Sequence, residues 1–217
     1  MGEYEEFMQR AKEALLQSQN LDSWVVNLAE LIEELDKSFN LLYERLRELY
    51  GIYNPELLEK DLNKEKFLKE VKKLKKSEIG YNLSEEDLDF ILDLVKELES
   101  LLSLRKKTEE YLAKVVKENY PNLYSTAGAL ITAKLIGAAG SLKELARKPS
   151  STIQVYGAEK ALFRHKKTGA KPPKYGYILQ HPFVMSKPPK ERGKAAKELA
   201  AKISLAARKD YYGKENK

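Results

Sequence analysis

The most concentrated chemistry in this sequence lies in four residues, Gly157-Ala158-Glu159-Lys160. A Gly-Ala pair at the start of a helix lets backbone N–H groups come close to a phosphate or a base edge. The helix dipole favours the anion, and Lys160 adds charge. Glu159 can accept from a base amino group such as cytosine N4 or guanine N2, a selectivity no lysine supplies. Taken alone, the run reads first as an ordinary helix N-terminus. Ser150, Ser151 and Thr152 are open to two readings, a turn and cap cluster or a set of hydroxyls aimed at phosphate. Lys171, Lys174, Arg192 and Lys194 could be solvated basic surface. Their company of Pro, Gly and Tyr175 in irregular backbone favours nucleic acid, because rigid loops present charge with less entropy lost. Catalysis is poorly provided for: the chain has no cysteine and two histidines, His165 and His181, with no motif-like serine partner. The expectation is a protein that is not an enzyme, with no cofactor and no metal. His165 remains a candidate for stacking on a base.

Charge agrees with the nucleic-acid reading. The net +6 divides unevenly: residues 1–119 carry 19 basic against 27 acidic side chains, and residues 120–217 carry 20 against 6. Such an excess makes a polyanion the leading partner of the second half, since each phosphate neutralised releases condensed counterions. The acidic half should avoid nucleic acid. With 42% hydrophobic residues the chain can bury a core, and its 33% charged content, mostly Lys and Glu, suits long solvated helices. Residues 1–19 are acidic and amphipathic, unlike a signal peptide. The apolar run 127–140 is too short for a bilayer and contains Lys134. A soluble intracellular protein is expected, with no membrane partner.

Two long helices must position these residues. From Leu21 to Tyr50 the apolar positions Leu21, Trp24, Val25, Leu28, Leu31, Ile32, Leu35, Phe39, Leu42, Leu46 and Leu49 recur at steps of three and four, a coiled-coil seam. Successive four-residue steps at Leu31, Leu35 and Phe39 relax the supercoil, and Gly51 and Pro55 end the helix. A second helix opens at Ser84-Glu85-Glu86-Asp87, a capping box with Asp in place of Glu. Its seam is Leu88, Ile91, Val95, Leu98 and Leu102, weak from Arg105 to Glu110, then Leu112, Val115 and Val116, closed by Tyr120-Pro121. At 1.5 Å per residue each helix extends roughly 45–55 Å, too long for a small globule and suited to an antiparallel hairpin. Residues 51–83 form its tip, with a short basic helix at 64–76. Tyr53, Leu57, Leu58, Phe67, Leu68, Val71, Leu74 and Ile79 lack an evident partner there and are expected to pack against a second copy. Trp24 is expected to be packed at the hairpin base.

After Pro121 a compact all-α domain is expected. Thr126 to Ala139, small and apolar on nearly every face, reads as its buried central helix. Ser141-Leu-Lys-Glu144 is a capping box, a helix runs from about Gly157 to Lys167 and stops at Gly169, and a last helix from about Pro189 to Tyr212 ends at Gly213.

Family resemblance enters on these same residues. Gly140-Ser-Leu-Lys-Glu-Leu-Ala-Arg-Lys-Pro-Ser-Ser-Thr-Ile-Gln154, Gly157-Ala-Glu-Lys-Ala-Leu-Phe-Arg164, Pro173-Lys-Tyr-Gly176, Arg192-Gly-Lys194 and Leu199-Ala-Ala-Lys-Ile-Ser-Leu-Ala-Ala-Arg-Lys-Asp210 resemble, in order and spacing, the Nop domain. That domain belongs to scaffolds of box C/D guide ribonucleoproteins, which direct RNA 2′-O-methylation. Leu41-Leu-Tyr-Glu-Arg-Leu-Arg-Glu-Leu-Tyr-Gly51 with Asn54-Pro-Glu-Leu57 is similar to the start of the family's coiled-coil domain. The resemblance spans about Leu21 to Asp210.

It implies an all-α fold, a long antiparallel coiled-coil hairpin followed by a compact helical Nop domain: residues 1–20 a lead-in, 21–120 a coiled-coil dimerisation domain, 121–217 the domain that binds the ribonucleoprotein. It further implies docking onto a kink-turn of the box C/D guide RNA already held by a small ribosomal-type protein, and pairing of two copies through the coiled coil. Fibrillarin, the methyltransferase, is recruited in this family by a separate N-terminal domain. Only residues 1–20 precede the coiled coil, so the expectation is a truncated chain without that domain. The implied RNA contacts are Gly157, Ala158, Glu159 and Lys160 at the kink-turn, Arg164 and the loop after it toward the guide–substrate duplex, and Ser151, Thr152, Gln154, His165, Lys171, Lys174, Arg192 and Lys194 around them. The related splicing-particle scaffold shares Gly-Ala but not Glu-Lys, which favours the guide-particle branch. A coiled-coil protein–protein adaptor is the alternative of another class. Lys166 departs from the apolar residue usual in the family. The implied location is the cytoplasm of an archaeon, or the nucleolus if the cell is eukaryotic.

Overall fold

The computed structural model describes residues 4–10 and 20–215. Among them the chain is helical and contains no strand. The elements that matter are α1 (Leu21–Tyr53), α2 (Pro55–Leu58), α3 (Lys64–Val71), α4 (Glu85–Asn119), α5 (Pro121–Ala127), α6 (Ala129–Ala139), α7 (Leu142–Arg147), α8 (Ser150–Val155), α9 (Glu159–Thr168), a 3₁₀ turn (Tyr177–Gln180), α10 (Pro182–Met185) and α11 (Arg192–Glu215). They form two compact units, Leu31–Thr108, and Met1–Glu30 with Glu109–Lys217. The long helices α1 and α4 pass from one unit into the other.

In the unit Leu31–Thr108, α1 and α4 are antiparallel partners with α2 and α3 folded against them. The buried face of α1 is Phe39, Tyr43, Leu46, Tyr50 and Tyr53, meeting Ile91, Val95 and Leu98 of α4. The seam therefore runs through Tyr43 and Tyr50, while Leu49 is 39% exposed. A tyrosine ring fills a seam position if its hydroxyl finds an acceptor. Tyr50 has the carbonyl of Lys75 at 3.2 Å. The consecutive four-residue steps thus fall at Leu35, Phe39 and Tyr43, one step later than the leucine pattern alone predicts. The weak stretch of the second seam has a polar solution. Arg105 Nε donates to Asp36 Oδ1 at 2.7 Å, and the buried Thr108 hydroxyl donates to the carbonyl of Leu104. The pair sets register more than stability, being worth about 1 kcal/mol or less at partial exposure. Ser84 and Asp87 cap each other reciprocally, as expected of the box: Ser84 N–H donates to Asp87 Oδ2 and Asp87 N–H to Ser84 Oγ.

The tip corrects an expectation. Tyr53, Leu57, Phe67, Leu68 and Val71 do not await a second copy, because the same cluster that contains Tyr43 and Tyr50 buries them within one chain. Leu58 and Leu74 pack at its edge, and Ile79 alone of that set stays out, 78% exposed. The chain turns α3 back across the seam, so the hairpin's own last two turns supply the partner that periodicity could not show.

In the other unit the segment from Thr126 to Ala139 buries Ala127, Ile131, Thr132, Ala133, Leu135 and Ile136 as expected, but the helix on which most of the others pack is α11. Gly128, at φ +76, divides that segment into α5 and α6, and Gly137 and Ala138 are exposed. The face Ala195, Ala196, Leu199, Ala200, Ile203, Ala206 and Ala207 of α11 is buried, packed on α5, α7, α8 and α10. Alanine at the crossings lets several helices come close to one axis. Helix α11 passes through Gly213, which does not terminate it. Trp24 is 51% exposed, so it is not the packed residue expected at the base. Val25, Leu28 and Ala29 of α1 and Leu112, Val115 and Val116 of α4 are buried at this end instead.

Two carboxylates complete this unit. Helix α5 begins without a side-chain cap from Tyr120. Its first N–H groups are met from α11: Asp210, 3% exposed, accepts from the N–H of Asn122 at 3.1 Å, the Asn122 side chain at 2.7 Å and the N–H of Leu123 at 2.8 Å. Asp22 does the same for α7, accepting the Leu142 N–H at 2.7 Å on one oxygen and the Tyr120 hydroxyl at 2.5 Å on the other. Burial and the Asp22 carboxylate together hold the Tyr120 hydroxyl far above the usual tyrosine range. Both carboxylates sit at helix N-termini, where the dipole favours negative charge.

His181 has a structural post as the N-cap of α10, its Nδ1 accepting the Phe183 N–H at 3.2 Å. Burial lowers its pKa, and protonation would also remove the accepting lone pair. Among the described residues no helix is long and apolar enough to cross a membrane.

Two outcomes are expected. Asp210→Asn leaves three donors with one acceptor oxygen and should cost about 1–3 kcal/mol in urea unfolding at unchanged slope; an unchanged midpoint would show that water replaces the cap. The folded His181 binds its proton less readily than the unfolded one. Stability should therefore be complete near neutral pH and decline as pH falls below about 6.5, where the unfolded ring charges first. His181→Asn, which keeps an N-cap acceptor, should flatten that decline in melting temperature between pH 7 and 5.

Candidate RNA-docking site

The Gly157–Lys160 run is a turn clasped between two segments of the basic unit. Gly157 sits at φ +86, a conformation that favours glycine, and a Cβ there would lie 2.7 Å from the ring of Tyr177. Ala158 is the N-cap of α9 with no side-chain bond of its own. Glu159 supplies the missing acceptor: its Oε1 takes the Gly157 N–H at 2.7 Å. One carboxylate oxygen is thus engaged in holding the turn. Glu159 and Lys160 are both exposed.

The clasp comes from the loop after Pro173. Gly176 N–H donates to the Gln154 carbonyl at 3.0 Å and Tyr177 N–H to the Tyr156 carbonyl at 2.7 Å. The Gln154 side chain returns a bond to the Lys174 carbonyl at 2.7 Å. A Cβ on Gly176 would meet the Tyr156 carbonyl oxygen at 1.8 Å, so glycine is required for this approach. From the other side Lys134 Nζ lies 5.7 Å over the Tyr177 ring and 3.2 Å from Gln180 Oε1. The aliphatic stem of Lys174 runs along Gly193, bringing Lys174 beside Arg192 and Lys194 at the start of α11.

The sequence-derived residues fall into three groups. Gly157, Ala158, Glu159, Lys160, Gln154 and Lys174 are brought together by the clasp, with Lys194 exposed alongside. Arg192 is partly committed: its Nε donates to the Lys187 carbonyl at 3.0 Å, stapling the loop ahead of α11. His165 closes the far end of α9, where its Nδ1 contacts the carbonyl of Ala170 beside Gly169 in the left-handed conformation. A carbonyl only accepts, so Nδ1 carries the proton. Ser151 is exposed and Thr152 half-buried in α8, whose N-cap is Pro149 with no side-chain bond; the serine-threonine cluster therefore does not cap this helix. Lys171 and Arg164 are exposed.

Helix α9 has no buried residue, and Phe163 is 67% exposed. Its order rests on its ends, the Glu159 bond at one and Gly169 with His165 at the other. Sequence reasoning passed over Tyr177, Tyr156, Gly176 and Lys134 as site residues. The signal for Lys134 was present, a single cation in an otherwise apolar stretch. The Gly157–Tyr177 contact joins residues too far apart in the chain for any local pattern. No group of three or more His, Cys, Asp or Glu able to hold a metal occurs among the described residues.

Comparison with known proteins gives the family. The family described as "Nop: snoRNA binding domain, fibrillarin" matches residues 31–80 and 59–217. A NOP5 family protein of Methanocaldococcus jannaschii is 42% identical over 222 residues, 90% of this chain and 54% of the relative. Nucleolar protein 58 of Schizosaccharomyces pombe is 35% identical over 216 residues, 88% of this chain and 42% of the relative. The chain thus spans about half the length of these relatives. Among solved structures, a chain of the fibrillarin/Nop5p complex is similar at 28% identity and a TM-score of 0.57, covering 97% of this chain and 72% of that one. With its family match, its two long helices and the clasped Gly-Ala-Glu-Lys turn, the chain belongs to the Nop family.

Proposed function

We propose that this chain is a non-catalytic RNA-binding scaffold of a box C/D guide ribonucleoprotein. Residues 121–217 would dock onto a composite surface, a kink-turn together with the small ribosomal-type protein that holds it. Residues 21–120 would pair two copies through the coiled coil. Fibrillarin, which accompanies Nop5p in the similar solved complex, is the partner whose 2′-O-methylation the particle would direct. The compartment follows the cell: the nucleolus in a eukaryote, as in the names of the nucleolar relatives, and the cytoplasm in an archaeon.

The observation that carries this reading is the Gly157–Lys160 turn, held open by Gly176 and Tyr177 on a half-chain with 20 basic against 6 acidic residues. A turn fixed before binding presents Lys160 and the second oxygen of Glu159 with little entropy left to lose. Glu159 then acts twice, holding the Gly157 N–H and offering an acceptor to a base edge. Exposed Phe163 and Arg164 on α9 are the surface next in line for RNA or the partner protein.

Replacing both Glu159 and Lys160 by Ala should weaken the ternary complex with kink-turn RNA and its small binder more than tenfold in gel shift. The same change should remove one cap bond and cost no more than about 1 kcal/mol of stability. A large fall in melting temperature would make the motif structural. A protein–protein adaptor would form no RNA-dependent ternary complex in this assay. Affinity of the assembled complex should also fall with salt, the log–log slope being about −0.9 for each phosphate contacted on duplex-like RNA. A flat response between 50 and 200 mM would contradict phosphate docking by the basic half.

A further inference from the structure

The hairpin tip breaks the charge pattern of its half. Residues 60–78 hold eight lysines against four acidic residues, whereas the remainder of residues 1–119 holds eleven basic against twenty-three acidic. Charge balance alone makes this a solvated surface, but three further features distinguish it. On α3 and the turn after it, Phe67, Leu68 and Val71 face the core, so Lys66, Lys69 and Lys73, at steps of three and four, share the opposite, solvent face. Lys66, Lys69 and Lys75 have no carboxylate at ion-pair distance among the described residues, while Lys73 pairs with Glu70 at 2.5 Å and Lys72 with Glu99 at 2.6 Å. Lys60 and Lys75 also lie near enough to Glu70 to lower its pKa, after the larger effect of Lys73.

The backbone that displays them is strained and tied down. Leu74 is left-handed at φ +46, costly for a leucine and maintained only where surroundings over-determine it. The ties come from α1 and the residue after it. Tyr53 Oη donates to the Leu74 carbonyl at 3.1 Å, and Tyr50 Oη and Asn54 Nδ2 donate to the Lys75 carbonyl at 3.2 and 2.8 Å. The following loop is pinned too. Tyr81 N–H donates to the Ile52 carbonyl at 2.8 Å, and a Cβ on Gly80 would strike the Tyr53 carbonyl oxygen at 1.8 Å. This rigid loop leaves Tyr81 69% and Ile79 78% exposed, with Lys76 Nζ bonded to Asn82 Oδ1 just after Tyr81.

We infer that the tip is a second RNA-binding surface, separate from the Gly157–Lys160 turn: Lys66, Lys69 and Lys75 take phosphates of a single-stranded or looped segment, and an unpaired base stacks on Tyr81. Unpaired, rigidly presented cations beside an exposed aromatic are the arrangement that binds single-stranded nucleic acid, stacking supplying what charge alone does not. The inference does not rest on the function proposed for the other unit. An acidic protein would use the lysines but leave Tyr81 without a role.

The test uses the full chain and a labelled single-stranded oligouridylate, with ultraviolet crosslinking mapped by mass spectrometry. Wild type should crosslink at Tyr81. Lys66→Glu with Lys69→Glu and Lys75→Glu should reduce that crosslink at least tenfold and lower the salt-slope magnitude by about 2, three contacts at about 0.7 each on a single strand. Because all three side chains are exposed, the melting temperature should hold. Tyr81→Ala, also exposed, should weaken binding with no change of salt slope. Ternary assembly on a kink-turn should survive both changes, which separates this surface from the other. An unchanged crosslink and slope in the triple variant overturns the proposal, as does competition by polyglutamate equal to that by RNA with no Tyr81 crosslink, the signature of an acidic protein partner.

Discussion

Buried helix starts must be capped, and in the basic unit the caps come from far away. Tyr120 brings no side-chain acceptor to the start of α5, and the Leu142 N–H at the start of α7 points inward. Asp210 and Asp22 answer these needs, with Tyr120 bonded to Asp22 and within the field of Asp210. An unsatisfied buried donor costs of order 1–3 kcal/mol. Each of these carboxylates serves two or three donors. With them in place α11 can lie along its alanine face against α5, α7 and α8, which in turn fixes the end of α8 where Gln154 meets the loop of Gly176. The clasp at Gly157 is therefore supported by the last helix, which packs on α8 and the Tyr177 turn and meets Lys174 at Gly193.

Much of the architecture was legible because it is periodic. The long helices, their antiparallel pairing and the Ser84 capping box follow from local spacing, and the family's motifs singled out the candidate site. What escaped has a common cause, in that pattern rules count leucines and miss polar groups satisfied at a distance. Tyr43 and Tyr50 fall outside a seam counted in leucines, yet both are buried in it, Tyr50 with the Lys75 carbonyl as its acceptor. Helix α11 carries little hydrophobic signal because its buried face is mostly alanine, yet alanine is what lets it sit at the centre. Asp210, at the end of a recognised motif, gave no local hint of burial. At the site, Gly157 was legible as a helix entry, but the ring of Tyr177 over it was not.

The tip shows the opposite error. Its apolar residues, unpartnered on paper, are partnered by the reversal of α3, and its lysines, averaged away in an acidic half, are what remains at the surface. Charge summed over a hundred residues conceals a patch of twenty. Two surfaces with similar logic result, each a glycine-dependent turn, Gly176 in one and Gly80 in the other, closing on a backbone carbonyl and presenting lysine from a frame that does not need to order on contact.

The distance between Asp210 and the helix it caps also sets an order of events during synthesis. Asp22 waits 98 residues for Tyr120 and 120 residues for the Leu142 N–H, and the start of α5 waits 88 residues more after its own emergence for Asp210. The hairpin, whose contacts span the shorter distance from Asp36 to Arg105, can close while the rest is still inside the ribosome. The basic unit cannot, because its last helix is its core. Until α11 is released, the glycine turn has no frame, so a chain still being made would carry a finished hairpin before the Gly157 turn can take its shape.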